Sequence, residues 1–146
     1  MRTRKIKLVF FITVLTFFSF NGIVYSVDKR DEMKEYLGKI NPILTNIQVT
    51  SRNLSQKLLP LEGAIREMHK GIDILETLTP PEFMARQHKM ILLAFKKLKM
   101  GFYMLTRGDR PLSIRLVRRG RDLLRTAAKD IVEFSKREGL IKEERE

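Results

Sequence analysis

From Met33 onward, apolar residues recur at alternating spacings of four and three: Met33, Leu37, Ile40, Leu44, Ile47, then Leu54, Leu58, Leu61, Ile65, Met68, Ile72 and Leu75. Only Ser51 interrupts the series. A seam of this period lies along one face of a helix, because residues three and four apart stack on the same side. Two prolines fall inside it, Pro42 and Pro60. Each lacks an amide proton and crowds the carbonyl four residues earlier. The register passes through Pro60 without a slip, so the pattern predicts one long kinked helix over 30–78.

Thr79-Pro80-Pro81-Glu82 then reads as a stop and restart, with Thr79 as cap, Pro80 in the first helical position and Glu82 as the capping-box carboxylate. The next seam is Met84, His88, Ile91, Phe95, Leu98, Phe102 and Leu105, ending at Arg107-Gly108, with Asp109 as the cap of the following helix. A last helix carries Val117, Gly120, Leu124, Ala127, Ile131 and Phe134 and closes near Glu138-Gly139. No stretch alternates with period two, so no sheet is expected. The fold class is all-α: the long kinked first helix packed on an antiparallel helical hairpin, a three-helix bundle. If the chain instead reverses near Pro60, the same pieces make a four-helix up-down bundle. In the three-helix arrangement residues 33–58 have no partner within the chain, which allows a homo-oligomer through the first helix.

Within the hairpin, Gly101 and Gly120 stand mid-helix, where each costs about 1 kcal/mol relative to alanine. Their positions predict close helix approach. Met68, Met84, Met90, Met100 and Met104 are expected to fill gaps in the core.

The start of the chain has a different pattern. Arg2, Arg4, Lys5 and Lys7 precede an apolar run from Leu8 to Phe20, and Val24 and Ser26 take the small-residue places before Val27. This is the order of a secretory signal, and the run is shorter than the about 20 residues of a spanning helix. Residues 1–26 are therefore expected to be a signal peptide, or else an N-terminal membrane anchor. Residues 27–139 form the helical bundle domain and 140–146 a frayed tail. The expected location is extracytoplasmic, periplasmic or secreted, with inner-membrane anchoring if the segment is retained.

Composition removes several chemistries. The 146 residues contain no Cys, which excludes disulfides, thiolate metal sites and a thiol nucleophile. No Gly-x-Ser-x-Gly elbow or phosphate-cradling glycine loop occurs, so no catalytic residue is assigned and no enzyme is expected. His69 and His88 are the only histidines. Folding about the 79–82 turn brings residues near 71 across from His88, so the two imidazoles are candidate neighbours, with Asp73 or Glu76 as a third ligand. Two are too few for a closed metal site. His88 lies on the core seam and is read as a buried imidazole hydrogen-bonded to Asp73 or Asp130, so no metal or cofactor is assigned.

Charge is distributed unevenly. The formal net charge is +12. Four positive charges belong to the export segment, and residues 27–79 carry eight basic and eight acidic side chains. Between Arg86 and Lys129 there are 13 basic residues against Asp109 and Asp122, a local net of +11. At 100° per residue, Arg115, Arg118, Arg119, Arg125 and Lys129 fall within about 120° of arc opposite the apolar seam of the last helix. Such a strip is either a solvated face that keeps the bundle soluble or a contact for an anionic membrane surface, an envelope polymer or an acidic protein. Nucleic acid is the weaker partner, because no aromatic stands between Met104 and Glu133 to stack on bases.

Two family patterns share part of this layout. The export segment, helical remainder, Thr79-Pro80-Pro81 break and final hairpin resemble exported cytochrome b562-type bundles. That resemblance implies haem ligation by an early Met, for which Met33 could stand, and by a His in the last helix. Residues 110–138 contain no His, so the haem function does not carry over. Leu44-Thr45-Asn46-Ile47-Gln48 is similar to the LTxxQ motif of Spy- and CpxP-type periplasmic chaperones, which are likewise exported, basic and built of long helices. The family usually shows the motif twice. Leu78-Thr79 and Leu105-Thr106 lack the Gln. More loosely, the stretch from Leu75 to Asp109 resembles uncharacterised exported bacterial helical proteins. The expected function is a non-enzymatic binding module using the basic hairpin face, with the chaperone as an alternative and a b562-like cofactor binder as a weaker one.

Overall fold

A computed structural model describes residues 27–139; the expected export segment and the C-terminal tail lie outside the described residues. The chain forms α1 (Val27–Ser55), α2 (Leu61–Thr77), a short 3-10 turn (Glu82–Met84), α3 (Ala85–Thr106) and α4 (Arg110–Arg137). Among the described residues there is no strand. The all-α bundle is the expected class, and the four-helix alternative is the arrangement adopted. α1 runs through Pro42, but no helix continues across 56–60.

The reversal has a local cause. The Lys57 amide donates to the Leu54 carbonyl and the Leu58 amide to the Asn53 carbonyl, closing a Schellman turn with Lys57 in the left-handed region at φ 59°. Pro60 cannot donate to α1 and instead sits extended, φ −70°, ψ 158°, its carbonyl accepting from Ala64 to start α2. The α3–α4 connection repeats the same bonding: Gly108 to Leu105, Asp109 to Met104, with Gly108 at φ +79°. Cross-helix neighbours fix the topology. Asn46 of α1 donates to Glu67 of α2 over 2.9 Å, and Lys29 and Met33 of α1 meet Glu138 and Ser135 of α4. The helices thus run up, down, up, down, with both Schellman turns at one end.

Met33, Tyr36, Leu37, Ile40, Ile43, Leu44 and Ile47 are buried with Met68, Leu75, Met84, Phe95 and Ile131. The α1 seam expected to lack a partner is therefore covered within the chain. The hairpin glycines behave as expected: a Cβ on Gly101 would lie 2.7 Å from Val117 Cγ2, and one on Gly120 would lie 2.9 Å from the Ala94 carbonyl oxygen. α3 and α4 consequently pack nearly backbone to backbone. Gly71 admits the Phe95 ring in the same way.

Two local expectations are corrected. Thr79 does not cap α3. The chain passes extended through the prolines, Pro81 precedes the 3-10 turn without a side-chain cap, and α3 starts only at Ala85. Of the five methionines assigned to the core, Met68 and Met84 are buried, whereas Met100 is exposed because, two residues on from Leu98, it falls on the side of α3 away from the buried face.

Candidate anion-binding surface

α4 presents the candidate strip, and its start is well fixed. Asp109 accepts from the Leu112 amide at 3.0 Å, and Pro111 occupies the first turn. The buried stripe of Ser113, Gly120, Ala127, Ile131 and Ser135 faces the bundle. The opposite side then carries Arg115, Arg118, Arg119, Arg125 and Lys129, all five exposed. Arg115, Arg118, Arg119, Asp122, Leu123 and Thr126 line a shallow open groove along the helix. Asp122 stands inside the arc of cations, a placement that a count of charges along the chain does not show.

Cross-helix contacts engage only part of the hairpin charge. On α3, Lys96 meets Glu76 of α2 at 2.6 Å, holding that carboxyl below the ordinary carboxylate range. Lys99 is 2.9 Å from His69, and Arg86 is 3.9 Å from Asp130. On α4, Lys129 lies 3.6 Å from Glu133. Among the described residues, no carboxylate comes within 4 Å of the Arg115, Arg118, Arg119 or Arg125 side chains. On the α3 side Lys89, Lys97, Lys99 and Arg107 likewise have no carboxylate within 4 Å among the described residues, so what distinguishes α4 is that its four guanidinium groups share one arc of a single helix.

The histidines are not neighbours. His69 is exposed on α2, 3.7 Å from Asp73. His88 is buried, and its partners are neither Asp73 nor Asp130: Nδ1 is 2.9 Å from the Tyr36 hydroxyl, and a backbone hydrogen bond joins the ring to Leu75. In the neutral form that carries its proton on Nε2, His88 accepts at Nδ1 from the Tyr36 hydroxyl. Burial lowers the His88 pKa and raises that of Tyr36. Met33, the residue matched to a haem ligand, is buried with Ser135 Oγ 3.7 Å from its sulfur. Among the described residues no group of three His, Asp or Glu is placed to hold a metal ion.

The LTxxQ-like stretch lies mid-α1, with Leu44 and Ile47 in the core and Thr45 and Asn46 outside. Sequence reasoning missed a second feature beside the cationic strip. Leu105, placed on the α3 seam by its period, is exposed, as are Tyr103 and Ile114 near the same turn. Comparison of the chain with protein-family models, with curated proteins and with solved structures finds no match.

Proposed function

We propose that the chain is an exported, non-enzymatic binding protein whose α4 face engages anionic components of the cell envelope. The observation that carries this reading is the group of four exposed guanidinium side chains, Arg115, Arg118, Arg119 and Arg125, on one helical arc without carboxylate partners among the described residues. A face serving only solubility would do as well with mixed signs, as on α2, where Lys70 pairs with Glu67. Guanidinium groups hold phosphate and carboxylate oxygens bidentately, and a rigid helix sets their spacing in advance. The Arg and Lys content before Leu8, followed by the apolar run to Phe20, supports an extracytoplasmic location.

The test is titration with soluble polyphosphate across a salt series. Replacing Arg115, Arg118 and Arg119 together by Gln should weaken binding and make the dependence of log affinity on log salt shallower by about two to three ions. An unchanged affinity and slope would refute this assignment.

A further inference from the structure

Five of the eight large apolar side chains exposed among the described residues gather toward one end of the bundle: Leu58, Met100, Tyr103, Leu105 and Ile114. Leu58 projects from the α1–α2 turn at 72% exposure, and the other four, at 42–47%, flank the α3–α4 turn. The up-down topology places these two turns at the same end, although they are about fifty residues apart in sequence. Exposed cations surround them: Arg52, Lys57, Arg107 and Arg110. None of the four has a carboxylate within 4 Å among the described residues. The acids nearest the two turns in sequence are Glu62, exposed in the first turn of α2, and Asp109, which has one carboxylate oxygen engaged by the Leu112 amide. The opposite end interleaves Asp31, Glu32, Glu82, Glu133 and Glu138 with Lys29, Arg30, Lys34, Lys136 and Arg137, and Glu138 meets both Lys29 and Arg137. The bundle thus differs along its axis, with exposed apolar groups and more cations than acids at the two-turn end and mixed charge at the other.

We propose that the bundle docks end-on to an anionic phospholipid bilayer, with the two-turn end as its membrane face. This rests on the anion-binding reading of α4 and names its partner. A soluble polyanion would satisfy the arginines but offer nothing to Leu58, Tyr103 and Leu105. A bilayer interface satisfies both, taking apolar side chains below the headgroups while the cations stay among the phosphates. Tyr103 suits the boundary, with an apolar ring and a polar tip. The apolar groups project singly from two turns rather than forming one flat patch. A fluid partner accommodates that arrangement. No helix among the described residues is long and apolar enough to cross a membrane, so the contact is peripheral. Arg115 and Arg118, one to two turns up α4, continue the cationic collar toward the strip.

The chain contains no Trp, so single tryptophans report locally. Leu105→Trp probes the two-turn end and Ile74→Trp the opposite end, each against vesicles of phosphatidylglycerol and phosphatidylcholine in equal parts and of phosphatidylcholine alone. The expected result is a blue shift and quenching by brominated lipid for Leu105→Trp on the anionic vesicles only, with Ile74→Trp unmoved. Replacing Leu58 and Leu105 together by Ser should lower vesicle partition about tenfold or more. It should leave the helical circular-dichroism signal and polyphosphate affinity unchanged. Attachment through the chain before Val27 would bring the Ile74→Trp end to lipid, and that pattern overturns the proposal. Polyphosphate binding with no shift at either tryptophan overturns end-on docking and leaves the α4 reading intact. Loss of polyphosphate binding as well overturns both.

Discussion

Substitution of Gly120 by alanine tests the closest contact in the bundle. In an unobstructed helix interior this change stabilises by about 1 kcal/mol, because alanine loses less backbone entropy on folding. Here the new Cβ would stand 2.9 Å from the Ala94 carbonyl oxygen and 2.8 Å from Leu98 Cγ. The Leu98 side chain can rotate, but the Ala94 oxygen belongs to the backbone of α3 and moves only with its helix. Separating the helices opens gaps along the α3–α4 seam, and overpacking of this kind costs about 1–3 kcal/mol. Since the obstacle is backbone, the upper part of that range applies, and the net effect is a loss of about 2 kcal/mol. For a chain of this size the Tm falls by roughly 6–10 °C. Gly38→Ala is the matched control, an exposed helical glycine whose added Cβ would meet nothing within 4 Å. It should gain about 1 kcal/mol and roughly 3–5 °C in Tm. Thermal unfolding followed by circular dichroism reads both. A Gly120→Ala variant as stable as the wild type or more so would refute the close packing of α3 on α4.

Three further outcomes are expected from local geometry. Lys57→Gly relieves a side chain held at φ 59° and should raise stability in urea unfolding by about 1 kcal/mol, whereas Lys57→Val should lower it. Asp109→Ala removes the acceptor of the Leu112 amide and should cost about 1 kcal/mol, with Asp109→Asn largely preserving stability. His88 has a native pKa below its ordinary 6.5, so the unfolded chain binds its proton more readily. Its neutral-state stabilisation is therefore complete above about pH 6.5 and declines as pH falls toward the native value, where protonated Nδ1 can no longer accept from Tyr36. Urea unfolding at several pH values reads the slope, which should disappear in that window when His88 is replaced by Gln.

Much of the architecture is legible in local signals. The three-four seams mark the helices, Gly108 with Asp109 marks the second Schellman turn, and Gly101 with Gly120 marks the hairpin contact. The first turn uses the same hydrogen bonds with Lys57 where the second has Gly108, so the usual residue signal for a reversal is missing. The seam also continues in register across Pro60, since both flanking helices bury leucines and isoleucines at matching spacing. That combination conceals a reversal and suggests a kink. The cationic arc on α4 follows from helical geometry alone, but its lack of partners does not. Whether a lysine is neutralised depends on residues such as Glu76, some twenty positions from Lys96, and only the packing of α2 on α3 brings them together. The exposed end is concealed for a related reason: periodicity assigns Leu105 to a face, and the bundle ends before that face is covered.

The central functional claim is that position on α4, rather than total charge, creates the anion site. Two variants of equal charge decide it: Arg115, Arg118 and Arg119 all changed to Gln, against Lys89, Lys96 and Lys99 all changed to Gln on α3. Affinity for anionic vesicles is measured for both at one salt concentration. The account predicts a loss on the order of a hundredfold for the α4 variant, at about fivefold per cation, and only a few-fold loss for the α3 variant. Equal losses in the two variants would contradict it and reduce the effect to net charge.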